Sequence, residues 1–203
     1  MKLYYMPGAC SLASHIALRE AGAAFDLDRV DNASKKSEAG DDFRAINPKG
    51  YVPALTLDSG DVLTEGAAIL QYIADQHPKA GLAPAAGSLE RVRLQEHLNY
   101  IASELHKSFS PLFDPATTET EKAAATARVG QKFDLVERQL ADGRSYLQGD
   151  RFSVADAYLF VVTSWTRHLG IALDAWPKLA AFVDRVAGRA KVQEALKAEG
   201  LTA

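Results

Sequence analysis

The sequence predicts two domains of different class, a small α/β domain followed by an all-helical domain. Strand patterns and helix patterns alternate from residue 1 to residue 78, an order typical of one compact unit around a mixed sheet. From Leu89 to the end at residue 203 there is no convincing strand pattern. A segment rich in Pro, Ala and Gly separates the halves, so we predict domains at 1–78 and 89–203 joined by a linker at 79–88.

The first half opens with a strand, a break and a helix. Lys2–Met6 is apolar and aromatic after its lysine, which is typical of a strand. A Pro-Gly pair breaks this strand, and a helix pattern then runs over Ser11–Gly22, where a glycine stops it. Alternating apolar and polar residues predict a second strand at Phe25–Val30, and the polar run Asp31–Asp42 reads as a surface loop.

A hairpin and a further helix complete the predicted α/β domain. Tyr51–Asp58 and Val62–Thr64 flank a Ser-Gly-Asp turn, which predicts two antiparallel strands. Pro53 has no N–H for a ladder, so it belongs at a strand start or edge. The next helix begins at Glu65 and Gly66, where the carboxylate suits the helix dipole and the glycine leaves a backbone N–H uncovered by any side chain.

The second half is predicted to contain five helices. Ser153 and Asp156 fit the spacing of a capping box, and the almost wholly apolar run behind them predicts the buried central helix of this half. The predicted helices are Leu89 to about Phe113, Glu119–Leu140, one from Ser153, one opened by Pro177, and Val192–Leu196.

Cys10 is the only cysteine, and it sits where the first strand pattern gives way to the first helix pattern. The first turn of a helix has unpaired N–H groups and a positive dipole end, which stabilise a thiolate and lower its pKa below the usual ~8.5. A buried cysteine serving as a small apolar side chain is the alternative. The position favours the reactive thiol.

Three polar residues follow one another along the first long helix of the second half. Asn99, Ser103 and His106 are spaced by four and three residues, so a regular α-helix places them within an arc of about 60°. Such a stripe either lines a cleft or an interface, or forms the polar shoulder of an amphipathic helix.

Composition excludes several classes of function. The chain is 47% hydrophobic and 24% charged with a net charge of −3, so it offers no basic field for nucleic acid or anionic lipid. No apolar run approaches the ~20 residues of a membrane span, and the N-terminal segment does not read as a signal peptide. One cysteine forms no internal disulfide, so we expect a cytoplasmic protein. The sequence holds no C-x-x-C, phosphate-binding glycine loop or metal-type histidine pairing.

The motifs together resemble the cytosolic glutathione S-transferases. The resemblance covers essentially the whole chain and implies a thioredoxin-like N-terminal domain and an all-helical C-terminal domain. It rests on the run Tyr51–Leu55, on Glu65 with Gly66, and on the capping box. Residues around Cys10, together with Glu104–Lys107, look like the bacterial beta class, which has a cysteine where other classes use Tyr or Ser.

The resemblance implies roles for particular residues toward glutathione, the co-substrate. The glutathione sulfur is expected near Cys10 and His106, the two implied catalytic residues, and the cysteinyl backbone on Val52. Glu65 and the Gly66 N–H are expected to hold the γ-glutamyl end. The resemblance also implies Lys35 at the glycyl end, and Asn99 and Ser103 near the ligand or the interface of a homodimer. Pro53, Ser153 and Asp156 are expected to have structural roles, with a cis peptide before Pro53. No metal is expected, because the histidines show no metal-type pairing.

Gly66 departs from the pattern of the family, which often has Ser at this position. The backbone N–H remains, but a hydroxyl contact to the γ-glutamyl carboxylate is lost. One missing hydrogen bond of this kind costs ~0.5–1.5 kcal/mol of affinity.

The resemblance implies conjugation of glutathione to hydrophobic electrophiles as the main activity. Because a thiolate attacks disulfides, glutathione-dependent thiol–disulfide exchange, peroxidase activity or reductive dehalogenation is the alternative. A non-catalytic interaction scaffold is the alternative of another class, and the presence of Cys10 and Glu65 argues against it. The residues do not name the electrophile.

Overall fold

The computed structural model describes residues 1–201, and these fall into two compact units. The first unit comprises Met1–Ala83 together with the C-terminal segment that begins at Gly188, and the second comprises Pro84–Ala187. The predicted fold class, an α/β domain and an all-helical domain, is confirmed. The C-terminal segment differs from the predicted boundaries, because its helix packs on the first helix of the chain.

A four-stranded mixed sheet lies at the centre of the first unit, in the order β2-β1-β3-β4. Strands β1 and β2 are parallel, whereas β1–β3 and β3–β4 are antiparallel. Leu3 pairs with Leu27 on one side and with Leu55 on the other. The strands are β1 Lys2–Tyr5, β2 Asp26–Arg29, β3 Ala54–Thr56 and β4 Val62–Thr64.

Four α-helices accompany this sheet in the part of the unit that the structure describes. The apolar face of α1 is completely buried at Ile16, and that of α3 at Ile69 and Leu70. A short helix, α2, lies in the segment that precedes β3. The helices of this unit are α1 Ser11–Glu20, α2 Phe43–Ile46, α3 Gly66–Gln76 and, near the C-terminus, α10 Ala190–Ala198.

The second unit is helical throughout its regular structure. Its core is α8, in which twelve residues are buried and which packs against α4 and α9. Ser153 and Asp156 form the capping box at the start of α8, as predicted. The helices are α4 Leu89–Tyr100, α5 His106–Ser108, α6 Ser110–Phe113, α7 Glu119–Gln139, α8 Val154–Leu169 and α9 Pro177–Ala187.

The first long helix of this unit is less regular than its sequence pattern predicts. Residues Ile101–Leu105 form a π-helical turn between α4 and α5, and the backbone N–H of His106 donates to the carbonyl oxygen of Ile101. A second irregularity at Phe109 separates α5 from α6. The π turn inserts one residue into the helical repeat, so the predicted angular positions beyond it no longer apply.

Candidate functional site

Cys10 caps the amino end of α1 and is partly exposed. Its thiol donates to the carbonyl oxygen of Val52, with the sulfur 3.4 Å from that oxygen. The turn before it is closed by Ser11, which is fully buried and whose hydroxyl oxygen lies 3.2 Å from the Met6 nitrogen and 3.3 Å from the Met6 oxygen. The thiol therefore stands at the positive end of a helix dipole, as the sequence predicted.

Val52 holds the backbone that faces this thiol. Its side chain is buried in a cluster with Tyr4, Phe43 and Ala54, and Ala9 packs against the same cluster. The peptide bond from Val52 to Pro53 is cis, which confirms the expectation from the family resemblance. The side-chain amide of Asn47 donates to the carbonyl oxygen of Tyr51 at 2.7 Å and so fixes the approach to this segment.

Glu65 and Gly66 lie at the amino end of α3, as predicted. Glu65 has a φ of +68°, which is unusual for a residue with a side chain and stores backbone strain of order 1–3 kcal/mol. Strain of this kind concentrates at ligand-binding positions. The exposed Glu65 carboxylate accepts a hydrogen bond from Lys49, and this bond raises the pKa of the lysine.

Lys49 is a site residue that sequence reasoning did not identify. Its ammonium contacts Glu65 and also donates to the Thr64 hydroxyl at 3.0 Å. In the sequence it lies in an Asn-Pro-Lys-Gly turn, 16 residues before its partner. No spacing rule connects a turn residue to a helix terminus that far away, so only the fold reveals the pair.

Lys35, the residue predicted to bind the glycyl end of glutathione, lies in the loop before α2. It has a φ of +55° and its ammonium donates to the side-chain oxygen of Asn32 at 2.6 Å. Backbone hydrogen bonds fix the residue from both sides, because its N–H donates to Asp31 and its carbonyl accepts from Phe43. The loop thus presents Lys35 from an ordered backbone.

His106 lies in an aromatic cluster of the second unit. Its Nδ1 is 2.8 Å from the Tyr158 hydroxyl, and its ring packs edge-on to Trp165 with centroids 4.8 Å apart. Burial, with a smaller contribution from the charge of Lys107, lowers the pKa of His106 to about 4. The imidazole is therefore neutral near pH 7. Phe109 and Phe113 both pack edge-on against the same tryptophan.

Asn99 and Ser103 differ from His106 in their surroundings. Both are exposed, and the Ser103 hydroxyl donates to the Asn99 carbonyl at 2.8 Å. Ser103 lies within the π turn and His106 directly after it, and the ring of His106 packs in the cluster with Tyr158 instead of continuing the polar row. The sequence spacing predicted one stripe because it assumed a regular α-helix.

Asp156 is the buried centre of the predicted capping box. Its two oxygens accept from the backbone N–H groups of Leu147 and Ser153, each at 2.8 Å, and from the Ser153 hydroxyl at 2.6 Å. Burial raises the pKa of Asp156 to about 6, against the opposing effect of these hydrogen bonds. The pair orders the start of α8 and the segment before it, which is a structural role.

Residues 1–201 contain neither a cluster of metal ligands nor a helix that could span a membrane. No group of three or more His, Cys, Asp or Glu side chains in this range is placed to hold a metal ion. Over the same residues, every helix is too short or too polar to cross a membrane.

Two family models match the chain. The model described as glutathione S-transferase, N-terminal domain, matches residues 8–76, and the model described as glutathione S-transferase, C-terminal domain, matches residues 100–190. Among curated relatives, the chain is 51% identical over 201 residues to glutathione S-transferase GstA of Escherichia coli O157:H7, across 99% of this chain and 100% of the relative.

Two solved structures each match with a TM-score of 0.96 and 54% identity over 100% of both chains. One is a sphingomonad glutathione S-transferase complexed with glutathione, and the other is a bacterial beta class glutathione S-transferase from Sphingomonas chungbukensis.

Proposed function

Because the chain belongs to the glutathione S-transferase family, we propose that it conjugates glutathione to hydrophobic electrophiles in the manner of the bacterial beta class, with Cys10 at the thiol site. One observation carries the proposal: Cys10 occupies the N-cap position of α1, and its sulfur lies 3.4 Å from the Val52 carbonyl oxygen. A glutathione bound along that backbone brings its own sulfur to the same helix terminus.

Glutathione binding to the first unit uses three places. The backbone of Val52 pairs with the cysteinyl residue as an added strand would, since a carbonyl oxygen has a second lone pair besides the one that Cys10 uses. Glu65 takes the γ-glutamyl ammonium, and the N–H of Gly66 takes the carboxylate. Lys35 binds the glycyl carboxylate. The sphingomonad structure with bound glutathione supports this ligand for the family.

The helical unit contributes His106, Asn99 and Ser103, with roles that rest on the family resemblance. Because the pKa of His106 is about 4, the neutral imidazole acts on the glutathione sulfur as a hydrogen-bond donor and not as a cation. If the Tyr158 hydroxyl donates to Nδ1, the proton of the ring is on Nε2, which then donates to a thiolate. We place Asn99 and Ser103 near the ligand in a homodimer.

The reaction is a nucleophilic substitution or addition. The glutathione thiolate attacks the electrophilic carbon, a C–S bond forms, and the leaving group departs with the bonding electrons or a proton is taken up after addition. The protein lowers the barrier by holding the thiolate at the helix terminus and excluding water from it.

Thiol–disulfide exchange is a second candidate, which the partly exposed position of Cys10 at a helix terminus favours. Here the Cys10 thiolate attacks the disulfide of oxidised glutathione, one S–S bond forms as another breaks, and one glutathione thiolate leaves. Glutathione-dependent peroxidase or reductive dehalogenase activity can pass through the same mixed disulfide. A non-catalytic scaffold is the remaining alternative, and retention on immobilised glutathione separates it from both enzymes.

Intact mass of the purified protein, before and after incubation with oxidised glutathione, tests these assignments. We expect one glutathione adduct that is lost on reduction, and none on the Cys10→Ala variant, since the chain has one cysteine. Conjugation is measured in parallel on Cys10→Ala, His106→Ala and the double variant. An adduct on Cys10→Ala, or a double variant that conjugates at the wild-type rate, would contradict the site.

A further inference from the structure

A buried polar network connects the C-terminal segment to the turn that precedes Cys10. The side chain of Glu199 has no exposed surface, although it lies only one residue beyond the end of α10. One of its oxygens accepts from the backbone N–H of Gly8 at 3.0 Å, and the other lies 2.8 Å from Nδ1 of the fully buried His15. Gly8 is two residues before Cys10.

Arg19 determines which nitrogen of His15 carries the proton. Its Nε–H donates to His15 Nε2 at 2.8 Å, so Nε2 is the unprotonated nitrogen and Nδ1–H donates to Glu199. The Glu199 carboxylate therefore receives two N–H donors, one on each oxygen. A buried carboxylate is favourable only where donors satisfy it in this way.

The turn from Met6 to Cys10 is held from two sides. Within the turn, Ala9 N–H donates to the Met6 carbonyl at 3.1 Å, and Ser11 contacts both backbone groups of Met6. From outside the turn, the Glu199 carboxylate accepts a hydrogen bond from the N–H of Gly8, and Gly8 has a φ of +71°. Leu201 covers the same glycine, with a methyl group 3.5 Å from where a Cβ would be.

The attachment of α10 to α1 has contacts besides those of Glu199. Val192 and Ala195 of α10 are completely buried, and Arg189 forms two hydrogen bonds to Glu20, at 2.7 and 2.9 Å. Glu199 differs from these residues because its carboxylate also reaches Gly8, in the turn before Cys10.

We propose that Glu199 is a positioning residue for Cys10, which acts through the backbone N–H of Gly8 and is itself held by His15 and Arg19. Glu199 would position the Cys10 thiol whatever reaction that thiol serves. Only the effect of this positioning on glutathione transfer rests on the proposed function. Glu199 holds the turn so that the Cys10 sulfur stays at the positive end of α1.

A glutamine cannot replace Glu199 in this network. It has one acceptor oxygen, so in Glu199→Gln either the Gly8 N–H or the His15 Nδ1–H meets an NH₂ group. In the double variant Arg19→Met/Glu199→Gln, His15 is free to move its proton to Nε2. Nδ1 then accepts from the glutamine amide, whose oxygen again accepts from Gly8. The second substitution should therefore relieve the effect of the first.

The rate at which iodoacetamide alkylates Cys10 tests the placement of its thiol at the helix terminus, and the measurement needs no glutathione. The only thiol in the chain attacks the methylene carbon, a C–S bond forms and iodide leaves, so the rate reports this one residue. In Glu199→Gln we expect alkylation at pH 7 to slow roughly threefold and its pH midpoint to rise, because the thiolate loses part of its interaction with the helix dipole. Arg19→Met/Glu199→Gln should recover the rate of Arg19→Met alone.

Val192→Ala is the matched control, since it weakens the docking of α10 without touching the network. We expect it to lower the melting temperature and to leave alkylation unchanged. A Glu199→Gln variant with wild-type or faster alkylation, or a double variant without recovery, would overturn the proposal.

A measurement on the unmodified protein covers the case in which Glu199→Gln does not fold. The amide proton of Gly8 should be shifted downfield and protected from solvent exchange, and exchange at the rate of an open turn would overturn the proposal. Failure of the wild-type protein to bind or conjugate glutathione would instead refute the proposed function. The alkylation rates would still decide whether Glu199 positions Cys10, because that assay uses no glutathione.

Discussion

At the scale of single residues, Gly66 is the position where we expect the affinity for glutathione can be improved. A Cβ built on Gly66 lies 3.7 Å from the Pro53 ring, an ordinary contact, and the residue does not have a positive φ. Gly66→Ser therefore fits, and we expect its hydroxyl to add one hydrogen bond to the γ-glutamyl carboxylate. The dissociation constant of glutathione should fall about threefold to tenfold, measured by titration calorimetry.

Gly66→Ala is the control for this change, because it adds the same Cβ and removes the same backbone freedom without a hydroxyl. It should leave the affinity for glutathione near that of the unmodified protein. Equal tightening in the Ala and Ser variants would mean that rigidity of the α3 terminus, and not the hydroxyl, determines affinity, and would contradict the proposed carboxylate site.

His106 links the stability of the protein to pH. An unfolded chain binds the imidazole proton near pH 6.5, whereas the folded protein binds it only near its lowered pKa of about 4. The unfolded state thus binds more protons in this window, and stability contributed by His106 is complete above pH 6.5 and is lost as pH falls toward 4. Between pH 7.5 and 5 we expect the loss from this residue to be about 1–2 kcal/mol.

Urea denaturation of the wild type and His106→Gln at both pH values isolates this effect, because Asp156 and His97 titrate in both proteins and cancel in the difference. The variant should lose less stability than the wild type on acidification. Equal losses would show that His106 takes up its proton as readily in the folded protein as in the unfolded chain, and its role as a neutral donor would then be wrong.

At the scale of elements, the buried capping box is expected to outweigh an exposed one. Asp156→Ala removes the acceptor of three buried donors and should cost about 2–4 kcal/mol in the free energy of unfolding. The exposed capping box of Thr118 and Glu121 at the start of α7 serves as the control, and Thr118→Ala should cost about 1 kcal/mol. Urea denaturation measures both, and equal costs would contradict the argument.

What the sequence could predict depends on how far apart the interacting residues are. The partners of the capping box, Ser153 and Asp156, are three positions apart, so the sequence predicted it, as it predicted the change from strand to helix at Cys10. The Lys49–Glu65 pair and the contact of Glu199 with Gly8 were not, since the fold alone brings those residues together. The π turn was also missed, because a periodic pattern assumes a constant helical repeat.

At the scale of the whole molecule, α4 carries apolar side chains whose exposure a second copy of the chain would explain. Leu89 is 66% exposed and Val92 47% exposed, and they lie one turn apart on the helix that also carries Asn99. Large exposed apolar groups in a row are typical of subunit interfaces. This surface and the family resemblance together support the proposed homodimer.

We therefore expect the protein to sediment as a dimer at micromolar concentration and the double variant Leu89→Glu/Val92→Glu to sediment as a monomer, because two buried carboxylates without partners disfavour the interface. Leu135→Glu is the control, since Leu135 is 41% exposed on α7 and lies away from this row in the sequence. If Asn99 and Ser103 bind glutathione only in the dimer, the monomeric variant should also bind it more weakly while Cys10 alkylation stays unchanged. A wild-type monomer, or dissociation by Leu135→Glu as well, would show that the α4 surface is not the interface.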